Sequence, residues 1–205
     1  MKKQLILISS SIQRQFPSRI ARAEQASYRF DSLVLQFFAY AFTGWFWEVL
    51  LHAYMDHAFV NRGVLTGPWL PIYGVGGILI LVLLRRFRSR PLKLFGISMV
   101  LAGLIEYMTA TALDMLFHQK WWDYSGMLFQ LHGKVCLAGL LLFAFGGCFV
   151  CYVAAPFLDR QIQRIALSHR RFLVILLLSV FALDTVFSLI HPNTGAGITY
   201  PHLLP

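Results

Sequence analysis

Five apolar runs alternate with short polar stretches along the chain. They cover Ser32 to Met55, Gly63 to Leu84, Leu92 to Phe117, Val135 to Leu158 and Phe172 to Ile190. About 20 apolar residues cross a bilayer as a helix, and each run is long enough or nearly so. The pattern predicts an all-α, polytopic membrane helix bundle of about five transmembrane helices. Domain boundaries follow the same pattern. Residues 1–31 form a basic N-terminal segment, amphipathic or disordered, residues 32–191 the transmembrane domain, and residues 192–205 a Pro/Gly-rich outer tail. In the first segment Ile12, Phe16, Ile20 and Ala23 share a helical face, with Arg14, Arg19 and Arg22 mostly elsewhere, which suits a helix lying on a membrane surface.

The second run differs from the others. From Asn61 to Gly77 it reads NRGVLTGPWLPIYGVGG, with Gly63, Gly67, Pro68, Pro71, Gly74, Gly76 and Gly77. Proline lacks the amide donor and glycine costs backbone entropy, so this stretch should break its helix. Irregular backbone at membrane depth survives only where protein or a water-filled cavity satisfies it. An interrupted span is therefore either a pointer to a binding site or a kink that lets helices pack closely.

Composition agrees with a membrane chain. Of 205 residues, 58% are hydrophobic and 13% charged, and mean hydropathy is +0.62. The formal charge is +9. The basic residues lie between the apolar runs, so anionic lipid rather than nucleic acid is the expected counter-charge. Of 18 lysines and arginines, fifteen fall in the N-terminal segment, Arg85 to Lys93, and Arg160 to Arg171. Only Arg62, Lys120 and Lys134 fall in the alternate loops. That asymmetry puts the N-terminus in the cytoplasm and the C-terminus outside. Cys136, Cys148 and Cys151 lie in or beside apolar runs and imply no disulfide framework.

Three acids sit inside the runs: Glu48, Glu106 and Asp184. Burying an acid in a span costs at least ~2.5 kcal/mol and marks a functional candidate. Counted from the starts of their runs, they lie roughly 18 to 24 Å above the inner boundary. The broken Gly67 to Gly74 region falls at a similar depth. The expected result is a polar chamber open to the outside, built from Glu48, Arg62, Gly67, Pro68, Pro71, Tyr73, Glu106 and Asp184. The competing reading is that each acid separately fixes helix packing. Arg62 opens the second run and has a stem long enough to reach inward, so Glu48 is its expected partner. Trp121, Trp122, Asp123 and Tyr124 form either an interfacial aromatic anchor or a lid.

Other chemistry finds little support. Glu48 and His52 share a helix face, but the sequence has no HExxH and no paired ExxH, so no metal is expected. Cys148 and Cys151 have CxxC spacing without the cationic surroundings of a reactive thiolate. There is no GxxxxGK[ST] and no GxSxG. No cofactor and no nucleic-acid partner are expected.

The motif NRGxLxGPxxPIYGxG from Asn61, with GWxxE ending at Glu48, EYxT from Glu106, WWDYS from Trp121 and HGKVCL from His132, resembles the Putative ABC-transporter type IV family of bacterial membrane proteins. The resemblance covers roughly Ser32 to His191. It implies a transport component of the bacterial inner membrane, a permease whose ATPase is a separate chain. Five spans are few for an alternating-access path, so a homo-oligomer or a partner chain is expected. The alternatives are an enzyme acting on a lipid or lipid-linked headgroup, with the three acids as acid/base candidates and Arg62 on a phosphate, and a non-catalytic sensor or assembly factor.

Overall fold

The structure, a computed structural model, describes residues 17–21, 23, 26–55 and 57–200. The expectation for the amphipathic N-terminal helix falls mostly outside these residues. Helix α1 is Phe30–Met55, α2 is Pro71–Leu83 and α3 is Pro91–Phe117. A two-stranded antiparallel hairpin follows, β1 Gln130–Leu131 and β2 Val135–Cys136. Then come α4, Leu137–Gln163, and α5, Leu167–Ile190. Four helices, α1, α3, α4 and α5, are long and apolar enough to cross a membrane. The second apolar run yields a helix of only 13 residues.

Local sequence explains that shortening. Gly63 has φ +93°, which a residue with a side chain rarely adopts. Pro68 has no amide to donate, and Pro71 sits at the start of α2, where its missing donor costs nothing. Residues 61–70 are therefore irregular chain. Proline also shapes α4. Pro156 cannot donate to the carbonyl four residues before it, and the helix widens to a π turn at Val150–Ala154, with the Ala155 amide bonded to Val150.

Glycines set the helix spacing. The Tyr73 ring lies where a Cβ on Gly44 would stand, and a Cβ on Gly77 would come within 2.5 Å of Tyr40. A Cβ on Gly74 would meet the Phe37 carbonyl oxygen at 2.8 Å. These contacts lock α2 against α1. Gly147 does the same for α4 against Ile80 and Ser98. Small residues permit such close approach where no water drives association. Outward-facing residues such as Val100, Leu142, Phe172 and Leu183 are exposed and apolar, as a lipid-facing surface requires.

The two ends of the bundle are built differently. At one end Arg88 is almost wholly buried and donates to the carbonyls of Ala23 and Ala26, each at 2.9 Å, and of Leu81. Arg170 meets Asp31 at 3.4 Å. A buried polar ladder climbs α1 from here. Ser32 donates to Asp159, Gln36 to Ser32 at 3.1 Å, and Tyr40 to Gln36 at 2.7 Å. At the opposite end lie residues 61–70, the segment 118–134 and the C-terminal residues 191–200.

Candidate functional site

Residues 61–70 expose a run of backbone polar groups that no helix satisfies, and the structure finds a partner for most of them. Asp184 of α5 accepts the amides of Thr66 and Gly67, at 3.2 and 3.0 Å, and the Trp69 indole at 2.6 Å. Ser188, one turn further, accepts from the Thr66 amide at 3.2 Å. The Leu70 amide reaches the Ala41 carbonyl of α1 at 3.0 Å. Asn193 bonds the carbonyls of Asn61 and Gly63 through its side chain and that of Val64 through its amide. Asn61 in turn bonds the Thr66 carbonyl and accepts from the Trp45 indole.

Arg62 sits at the centre of this end, 5% exposed. Its Nε meets Glu48 at 3.2 Å. Nη1 donates to the carbonyls of Gly197 and Ile198, and Nη2 to that of Trp121 at 2.9 Å. One side chain thus joins α1, the C-terminal residues and the segment 118–134. The other Glu48 oxygen accepts from the Tyr73 hydroxyl at 2.9 Å.

The segment 118–134 runs along α3 rather than standing away from it. Tyr124 donates to Glu106 at 3.0 Å, Tyr107 bonds His132 at 2.9 Å, and Lys134 bonds Thr111 at 3.0 Å and meets Asp114 at 3.6 Å. Glu106 lies eleven residues before the end of α3, so Tyr124 contacts α3 about 16 Å along the axis from Phe117. Burial pushes the Tyr124 phenol well above its ordinary value, so its hydroxyl stays a donor. The turn depends on Gly133, φ +66°, whose carbonyl accepts the Tyr124 amide at 2.8 Å. A Cβ there would strike Asp123 and Ser125, each at 2.6 Å. The Ser125 hydroxyl donates to Asp123 and holds that carboxylate below its usual range. Trp121 is buried, and its indole bonds the Asn193 carbonyl at 3.1 Å. The Trp122 indole bonds the Lys134 carbonyl at 2.9 Å.

The expected site residues are thus distributed over two networks. Glu48, Arg62 and Tyr73 are joined directly, and Glu106 is joined to Tyr124. Asp184 is joined instead to Thr66, Gly67 and Trp69. Among the described residues it makes no bond to Glu48, Arg62 or Glu106. Pro68 and Pro71 act through the backbone. The participation of Gly197 and Ile198 had no signal in the sequence, because carbonyl acceptors carry no residue signature. Asn193, a polar side chain just past the last apolar run, was a readable hint.

A helical membrane protein with an interrupted segment and intramembrane carboxylates is the class this fold and site define. A family model described as Putative ABC-transporter type IV matches residues 35–189, and the chain belongs to that family. No curated protein and no solved structure matches the chain.

Proposed function

We propose that the chain is the membrane component of a transport system, with a polar chamber that opens to the outside of a bacterial inner membrane and an ATPase supplied by a separate chain. Family membership and the clustering of Glu48, Tyr73, Glu106 and Tyr124 beside an interrupted segment support this reading. The observation that carries it is the irregular backbone of residues 61–70, held by Asp184 and Ser188 of α5, by Asn193 and by the Ala41 carbonyl of α1. Such backbone is tolerated where it serves a cavity or site. In this reading Trp121, Trp122, Asp123 and Tyr124 belong to a lid. Its two latches are the Trp121 carbonyl on Arg62 and the Tyr124 hydroxyl on Glu106. The conformation described is the closed one, and substrate enters when the latches release. A second copy or a partner chain completes the path.

The headgroup-enzyme alternative needs Arg62 free for a phosphate. Four bonds to protein acceptors occupy it instead. The test is affinity purification of the chain from its native membrane after mild cross-linking. An ATPase subunit is the expected co-purifying protein, with ATP hydrolysis lowered when Glu48 or Tyr124 is substituted. Recovery of the chain without an ATPase, turning over a lipid substrate in the absence of ATP, would overturn the proposal.

A further inference from the structure

At the end of the bundle that holds the candidate site, two of five carboxylates have no cation among the described residues, and one of those two is also short of hydrogen bonds. The described lysines and arginines there are Arg62, Lys120 and Lys134. Each meets a carboxylate: Glu48 at 3.2 Å, Asp123 at 3.3 Å and Asp114 at 3.6 Å. Asp184 has no cation but accepts on both oxygens from two amides, an indole and a hydroxyl. Glu106 differs from all of these. It is 3% exposed, its Oε1 accepts from Tyr124 at 3.0 Å, and its Oε2 is buried with no partner among the described residues.

The groups that face it make the anion worse rather than better. Glu48 of α1 is itself an acid, and its cation, Arg62, is spent on it and on three carbonyls. Tyr73 from α2 spends its hydroxyl on Glu48. Tyr124, from the segment 118–134, supplies the one donor. Helix α4 packs along α3 and carries no charged residue from Leu137 to Leu158, with Cys136 at its start near Tyr124. A carboxylate out of water with one hydrogen bond and no cation takes up a proton.

We propose that Glu106 is a proton-binding site, and that in the closed arrangement its side chain is the neutral acid. The step is simple protonation: a carboxylate oxygen gains a proton delivered through water, and no bond between heavy atoms changes. With the proton on Oε2, Oε1 keeps its bond from Tyr124 and no unpaired negative charge stays buried. Loss of the proton leaves a buried anion that draws water to Oε2, and hydration there loosens the segment that Tyr124 anchors. Proton occupancy and closure of residues 118–134 are thereby linked. The inference does not depend on an ATPase partner, because it concerns the ionisation of one side chain.

Infrared difference spectroscopy of the full chain in lipid nanodiscs tests it. At about pH 6, where an ordinary glutamate is ionised, the wild type should show a carboxylic-acid carbonyl band that shifts on deuteration. Glu106→Gln should remove that band, and Asp184→Asn should leave it. Absence of the band from the wild type at that pH, or its persistence in Glu106→Gln, would overturn the proposal. Should Glu106→Gln fail to fold, Tyr124→Phe decides. It keeps the acid but deletes the bond to Oε1, so the band must move in frequency, and an unmoved band counts against Glu106. Co-purification with an ATPase is a separate readout, so failure of the transport reading and failure of this one are distinguishable.

Discussion

The Arg62 guanidinium meets the Glu48 carboxylate at 3.2 Å, and the two residues are fourteen apart in the chain. The pair bridges the end of α1 and the irregular segment that precedes α2. Arg62 also holds three carbonyls from two other parts of the chain, whereas Glu48 has one further bond, from Tyr73.

That imbalance predicts unequal single mutants. Arg62→Gln should destabilise by roughly 3–5 kcal/mol, because it strands a partly buried acid and releases carbonyls as well. Glu48→Gln should cost less, since Gln keeps an acceptor for Tyr73. The double mutant should be no worse than Arg62→Gln alone. Unfolding in mixed micelles, with folded yield as a second readout, measures the cycle. Additive losses would mean that the pair contributes nothing.

Asp184 should matter as a cap on irregular backbone. Asp184→Ala removes acceptors from two amides and an indole. Each donor left buried without a partner costs about 1–3 kcal/mol. Asp184→Asn keeps one acceptor oxygen and should be milder. Tryptophan emission should shift to the red in Asp184→Ala, and the shift should vanish when Trp69→Phe is added. A red shift that survives that second change would place the disturbance elsewhere.

Two glycines on one helix should respond oppositely to alanine. At Gly74 a Cβ meets the Phe37 carbonyl oxygen at 2.8 Å, and a backbone atom cannot swing away. Gly74→Ala should destabilise by about 1–3 kcal/mol, the range for overpacking. At Gly76 nothing lies within 4 Å of a Cβ. Gly76→Ala should be neutral or stabilising by up to ~1 kcal/mol, because alanine favours the helix. Thermal inactivation of the two variants side by side is the measurement. Equal effects would show that α1 and α2 are not packed as described.

Orientation is open to labelling. In a background with Cys136, Cys148 and Cys151 replaced by alanine, a cysteine at Gly126 should react with an impermeant reagent added outside the cell. Gly126 has open space around its Cβ direction. A cysteine at Ser89, between Arg88 and Arg90, should react only after the membrane is opened. The reverse pattern would invert the proposed topology.

Hydropathy fixed the helical membrane class and four of the helix spans, because a bilayer selects on local composition that any window of residues displays. The break in the second run was equally local, written in Gly63, Pro68 and Pro71. What local pattern could not assign was the partner of each polar group. Arg88 and Arg170 counted in the sequence as two of many basic loop residues, yet both are buried, one on carbonyls and one on Asp31. Ser32, Gln36 and Tyr40 read as ordinary members of an apolar run; they sit at i, i+4 spacing, and the ladder they form ends on Asp159, which arrives from α4. Glu48, Glu106 and Asp184 shared a depth by counting, but depth does not specify the direction in which a helix turns its side chains. Tertiary packing sent Asp184 to the irregular backbone and left Glu106 with one hydrogen bond. The Arg62 bonds to Gly197 and Ile198 span 135 and 136 residues. Contacts at that separation exist only once the helices have packed, since nothing in a stretch of sequence encodes which distant carbonyl will be brought beside it.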